Sequence, residues 1–196
     1  MHRLAATVAA GALIVFTAGC ASTPASRFYV LSPVAPPAAH VSEVSVAVGP
    51  VSVPAVVDRP QIVVTMGPNR VWPDEFNRWA SPLQDGIARV IGENLVAMLG
   101  TPRVTQSSQT VSMGSAYRAV VAVESFESRP GDMARLDAVW TVSRTKDGTT
   151  RTGRTTVREP TTEQGYDALA AAHSRAIAQL SRAIADAVGT LERRDQ

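Results

Sequence analysis

The chain has 196 residues, 45% of them hydrophobic, which is enough for one domain with its own core and short for two. Its 19 Lys and Arg stand against 17 Asp and Glu with no block of like charge, so nothing in the balance points to a nucleic-acid partner. A single cysteine rules out an intramolecular disulfide, and the fold must rest on core packing.

Met1-His2-Arg3 leads into an uncharged run from Leu4 to Gly19, the order of a basic start, a short apolar segment and small residues at a cleavage site. Leu4 to Phe16 is too short to span a bilayer as a helix, which takes about 20 apolar residues. Thr17-Ala18-Gly19-Cys20 resembles the bacterial lipobox, with Thr17 standing where Leu is usual. Residues 1–19 therefore read as a signal peptide, Cys20 as the lipidation site and 20–26 as a lipidated tether. One acyl chain holds a protein reversibly and two or more hold it stably, so an acylated Cys20 would keep the chain at its membrane. Ala21 after the cysteine, in the sorting systems that this resembles, favours the outer membrane.

Residues 27–196 read as a single domain. Arg27 to Leu31 is a short apolar strand, followed by an extended, weakly ordered linker from Val34 to His40 that carries Pro36-Pro37 and alanines. Val44 to Val48 is a second strand closed by Gly49-Pro50, and Val51 to Val57 continues extended with Pro54 inside it, which assigns that stretch to a sheet edge or bulge. Gln61 to Met66 is a third strand before the turn Gly67-Pro68-Asn69-Arg70. Ser81 as N-cap, Pro82 at the first helical position and Gln84 three residues on form a capping box. A helix follows, with Leu83, Ile87, Val90, Ile91, Leu95, Met98 and Leu99 on one face, ending at Gly100 and Pro102.

After a polar stretch to Ser115, Tyr117 to Ser128 is a strand that turns at Arg129-Pro130-Gly131-Asp132. Leu136, Ala138, Trp140 and Val142 alternate with polar residues on the next strand. Asp147-Gly148 marks a hairpin into a returning strand from Arg151 to Glu159. Thr161 and Gln164 suggest a second capping box. Tyr166, Leu169, His173, Ile177, Leu180, Ile184, Val188 and Leu191 then trace the apolar stripe of a long terminal helix. The expected class is α+β, a two-layer sandwich with a mostly antiparallel sheet and two helices packed on one face.

Chemistry-bearing motifs are missing from the reading. There is no HExxH, no GxSxG, no glycine-rich phosphate loop and no second cysteine, so the sequence predicts no catalytic residue, no metal and no cofactor. His2 leaves with the signal, His40 lies in the linker, and His173 reads as a packed or partly exposed helix residue. Arg144, Lys146, Arg151, Arg154 and Arg158 decorate one hairpin. They form either a patch for anionic headgroups or a partner, or the solvated face of a sheet guarded by charge.

Several motifs then recur in order: Val48-Gly49-Pro50-Val51, Asp58-Arg59-Pro60-Gln61-Ile62-Val63, Asn69, Arg78-Trp79-Ala80-Ser81-Pro82-Leu83 and Asn94-Leu95. With the lipobox, Phe28-Tyr29-Val30-Leu31 and the long last helix, they resemble the ABC-type transport auxiliary lipoprotein family, the PqiC-like proteins. Ser81 stands where that family commonly has Glu, and Val56-Val57 replaces a more usual Tyr-Leu. The resemblance implies an outer-membrane lipoprotein facing the periplasm, a non-catalytic accessory subunit of an MCE-type ABC system that moves lipids between the two membranes. It implies an MCE-domain periplasmic protein as partner, with homo-oligomer formation expected beside it. Asp58, Arg59, Gln61, Asn69, Arg78 and Trp79 are the candidate partner-binding residues, with a structural role for the Asp58–Gln61 turn and for Trp79 as the alternative. A lipoprotein that activates or braces a cell-wall enzyme is the second functional reading.

Overall fold

The computed structural model describes residues 24–39, 41–106, 114–161 and 163–193; the expected signal peptide, Cys20 and His40 lie outside them. In chain order the elements are β1 (Arg27–Tyr29), β2 (Val46–Ser52), β3 (Gln61–Gly67), β4 (Arg70–Trp79), α1 (Leu83–Leu99), β5 (Val104–Gln106), β6 (Tyr117–Arg129), β7 (Met133–Arg144), β8 (Thr150–Pro160) and α2 (Tyr166–Arg193).

The strands form one eight-stranded sheet organised around β6. β7 pairs along one edge of β6 and carries β8 beyond it, both antiparallel. The other edge is shared: β2 pairs with the first half of β6, from Val46 opposite Tyr117 to Ser52 opposite Ala122, and β3 meets its far end where Val64 faces Ser128. β5 flanks β2, while β4 and then β1 flank β3. The sheet is mixed, not mostly antiparallel as the hairpin signals suggested. The pairings β1–β4, β2–β5, β2–β6 and β3–β6 are all parallel. Hairpins join only neighbours in sequence, whereas the long connection through α1 returns the chain in the same direction and delivers parallel partners.

Both helices cover one face, α1 over β2 and β5 and α2 over β6, β7 and β8, and they pack on each other. Ala134, Leu136, Ala138, Trp140 and Val142 of β7 turn to this face, as the alternation predicts. On β6 the inward set runs through Tyr117, Ala119, Val121 and Val123, then shifts to Phe126 and Ser128. The change of phase falls at the register shift between Val123 and Ser125, since one extra residue reverses every later side chain. One continuous apolar core results, from Tyr29 to Leu191.

Four local expectations are corrected. β2 does not close at Gly49-Pro50 but runs through it, with Gly49 at φ 121° and a register shift between Val48 and Val51. Val51 to Val57 is a strand only at its start, where it leaves the register shift between Val48 and Val51 in keeping with the bulge alternative. Val51 and Ser52 pair with β6, and the chain then turns, with the Val57 and Asp58 N–H groups donating to the Pro54 carbonyl. The Ser81 capping box does not form, because Pro82 stays extended (φ −49°, ψ 132°) as N-cap and no side chain caps the helix. Likewise Thr161 caps nothing: its N–H donates to the Asp132 carbonyl and prolongs the β7–β8 ladder, and α2 begins only at Tyr166. The Gly100 stop holds, with φ 62°, ψ 34° and its N–H on the Val96 carbonyl.

Candidate functional site

The β3–β4 hairpin carries most of the residues singled out from the sequence. At its open end Gln61 faces Arg78, and Asn77, Arg78 and Trp79 pair in turn with Arg27, Phe28 and Tyr29 of β1. Gln61 Nε2 donates to Glu75 Oε2 (3.2 Å), and Arg78 Nε donates to the Glu75 carbonyl (2.9 Å). The Arg78 guanidinium lies 3.5 Å from the Glu75 carboxylate. Asp58 and Arg59 sit exposed on the adjoining loop, where they form no ion pair with each other. Five of the six candidates thus share one end of the hairpin, with Trp79 buried beneath the other four. Asn69 does not join them; it is exposed in the turn at the opposite end, about 20 Å away along the strands.

Trp79 is different in kind. Only 6% of its surface is exposed, and its ring stands edge-on to Phe126 (6.2 Å) and to His173 (6.3 Å). Its N–H donates to the Pro60 carbonyl (2.7 Å), so the backbone ties the Arg59–Gln61 loop to the strand end. The indole is thus buried, and it is the Trp79 backbone that joins the loop to the strand end. His173 is fully buried, stacked on Phe126 at 3.8 Å, and its Nε2 shares a 2.8 Å hydrogen bond with Ser128 Oγ. Burial pushes its pKa down to about 3, which leaves it a neutral core residue.

Other polar contacts escaped the sequence reading. Asn94 lies wholly buried on the apolar face of α1, where its Oδ1 accepts from the Val34 and Ala35 N–H groups (3.1 Å each) and its Nδ2 donates to Ser181 Oγ (3.3 Å). Ser174 Oγ accepts from the Ser32 N–H (3.0 Å), and Arg89 donates to the Leu31 carbonyl (2.6 Å). The Ala38 N–H reaches the Ala97 carbonyl (2.7 Å). What reads as a loose linker is a strap pinned across both helices. A polar residue interrupting the stripe of Ile87, Ile91 and Leu95 was the signal available.

A second network joins α2 to β4. Tyr166 donates to Asp74 Oδ2 (2.6 Å), Asp74 caps the Phe76 and Asn77 N–H groups, and Tyr29 donates to Asn77 Oδ1. Burial works to raise the Asp74 pKa, but hydrogen bonds from Tyr166, Asn77 and the Phe76 backbone hold it below the ordinary value.

The basic hairpin is largely engaged within the fold. Arg154 grips Asp137 through two 2.8 Å hydrogen bonds that depress the carboxyl's pKa, and Arg144 is buried against Asp147 and the Leu191 carbonyl. No grouping of potential metal ligands occurs among the described residues, and none of their helices is long and apolar enough to cross a membrane. An open groove of about 530 Å³ runs between β1 and α2, lined by Phe28, Val30, Ser32, Asp167 and Ala171 among others.

A family model described as ABC-type transport auxiliary lipoprotein component matches residues 29–185, from the last residue of β1 to the final turns of α2. The chain belongs to this family. This auxiliary lipoprotein also resembles two solved structures. A crystal structure of an uncharacterized protein is 20% identical, with a TM-score of 0.69, 84% of this chain and 99% of the other covered. A protein from Xanthomonas campestris is 18% identical, with a TM-score of 0.70 over 87% of this chain and all of the other. At such identities the likeness shows a common fold. No curated protein matches the chain.

Proposed function

We propose that this auxiliary lipoprotein is a non-catalytic accessory subunit of an MCE-type ABC system that moves lipids between the inner and outer membranes. It is anchored to the periplasmic face of the outer membrane by acylated Cys20. The family match over residues 29–185 carries the reading, because it spans the folded part of the chain and describes an auxiliary transport component. Cys20 and Ala21 support the anchor and its destination. In this reading an MCE-domain protein docks at the exposed end of the β3–β4 hairpin, on Asp58, Arg59, Gln61 and Arg78, with Asn69 as a separate contact. Trp79 acts from beneath by holding that end rigid. The protein works as a homo-oligomer.

The full-length protein, tagged at its C-terminus and solubilised from envelopes, should co-purify with an MCE-domain protein. Arg59→Glu should reduce that recovery at least several-fold with the melting temperature unchanged, since Arg59 is exposed. Recovery of a cell-wall synthase in its place would sink the transport reading. A strictly monomeric mass in detergent would remove the oligomer.

A further inference from the structure

We infer that the free edge of β1 is a membrane-contact edge, with Phe28 and Val30 seated in the lipid surface that holds Cys20. This rests on the anchored reading given above. Along this segment Tyr29 (8% exposed) and Leu31 (3%) enter the core, while Phe28 (65%), Val30 (58%) and Val34 (49%) face outward. Among the described residues β1 is paired on one side only, through β4. The Tyr29 carbonyl accepts the Ala80 N–H on that side, so the alternate residues Phe28 and Val30 turn their backbone groups outward. Natural edges are usually blunted by charge, proline or a bulge; here the exposed Arg27 and Pro33 bound the edge, and residues 28–32 between them carry none of these.

Chain length decides what covers the edge. Phe28 is eight residue steps from Cys20, and a chain reaches at most about 3.5 Å per step, so Phe28 lies within about 28 Å of the acylated position. A domain of this size is about 40 Å across, so that limit excludes much of the remaining surface. Of the other exposed aromatics among the described residues, Phe76 (39%) stands two residues along β4 from the partner of Phe28, and Trp72 (62%) stands six residues along it, about 20 Å away.

A protein strand fits the edge poorly. The Ser32 N–H is already bound to Ser174, which leaves two residues with free backbone groups, where ordinary strands pair over about 5–6. Those free groups stay satisfied if the edge rests at headgroup depth, where water reaches them, and not in the hydrocarbon. Across the groove, Asp167 is exposed and the Arg175 Nε donates to Glu159 (2.8 Å). Both keep the α2 wall in water and confine the contact to the strand.

The test uses the full-length lipoprotein in vesicles of phosphatidylethanolamine and phosphatidylglycerol. An environment-sensitive fluorophore is attached through Phe28→Cys or Val30→Cys, with Arg151→Cys on exposed β8 as control. The sulfur of Cys20, bound in thioether linkage to diacylglycerol, does not label. Emission from positions 28 and 30 should be blue-shifted and quenched by nitroxide lipids at least threefold more than from position 151. Labels at 28 and 30 that aqueous iodide quenches as strongly as the control, in protein whose mass shows acylated Cys20, overturn the inference and leave the anchor standing. Absence of acyl mass, with no partition into vesicles, overturns the anchor and the inference together. Shielding of the two labels only after an MCE-domain protein is added makes the edge a protein-docking strand and also overturns it.

Discussion

Trp79 and His173 sit in one aromatic cluster with Phe126, and their substitution reports on two different forces. Trp79→Ala removes a buried indole and leaves a cavity beneath the hairpin end, so it should destabilise the fold by about 3–5 kcal/mol in urea unfolding. A change under about 1 kcal/mol would show that the cluster collapses to fill the space. His173 is held neutral in the fold with its pKa near 3, while the unfolded chain takes up a proton near pH 6.5. Its contribution is therefore complete above pH 6.5 and is lost as pH falls through the interval between 6.5 and 3. Between pH 7.5 and 5.0 the loss should approach about 2 kcal/mol by linkage, and His173→Gln should abolish it. Equal stability of the parent at both values would refute the assignment. The stripe position of His173 was readable from spacing alone. Its contact with Ser128 was not, because 45 residues and a strand reversal separate the two.

Among the elements, α1 teaches how local signals yield to their surroundings. Ser81, Pro82 and Gln84 spell a capping box, yet β4 pairing up to Trp79 and the bond from the Ala80 N–H to Tyr29 hold the chain extended through Pro82. Ser81→Ala should consequently change stability by less than about 0.5 kcal/mol. A cost near 1 kcal/mol in thermal unfolding would restore the cap. The β7–β8 pair offers the opposite case, a glycine fixed by a neighbour. Gly153 lies opposite Trp140, a methyl group at 153 would overlap the indole, and Trp140 Nε1 is tied to Thr155 Oγ1 at 2.9 Å. Gly153→Ala should cost about 1–3 kcal/mol through overpacking, measured by the same unfolding curve. The hairpin itself was legible from Asp147-Gly148, whereas the demand for glycine at 153 depends on a ring supplied by the facing strand.

For the molecule as a whole, the core begins at Tyr29, beyond the tether, and attachment should be separable from folding. Cys20→Ala should move the protein from the membrane to the soluble periplasmic fraction while its melting temperature stays within about 1 °C. Retention in the membrane fraction would mean that something other than acylation holds it. Periodicity and punctuation in the sequence were enough for the two amphipathic helices, the β6–β7–β8 meander and the family pattern, because each is written within about fifty consecutive residues. Tertiary structure alone decided the mixed sheet, the sharing of one β6 edge by β2 and β3, and the strap pinned by Asn94 and Ser174. It also decided which candidate residues share a surface. Parallel pairing and buried hydrogen bonds join groups fifty to well over a hundred residues apart, and their partners are chosen by the packing of the whole core, which no local pattern encodes.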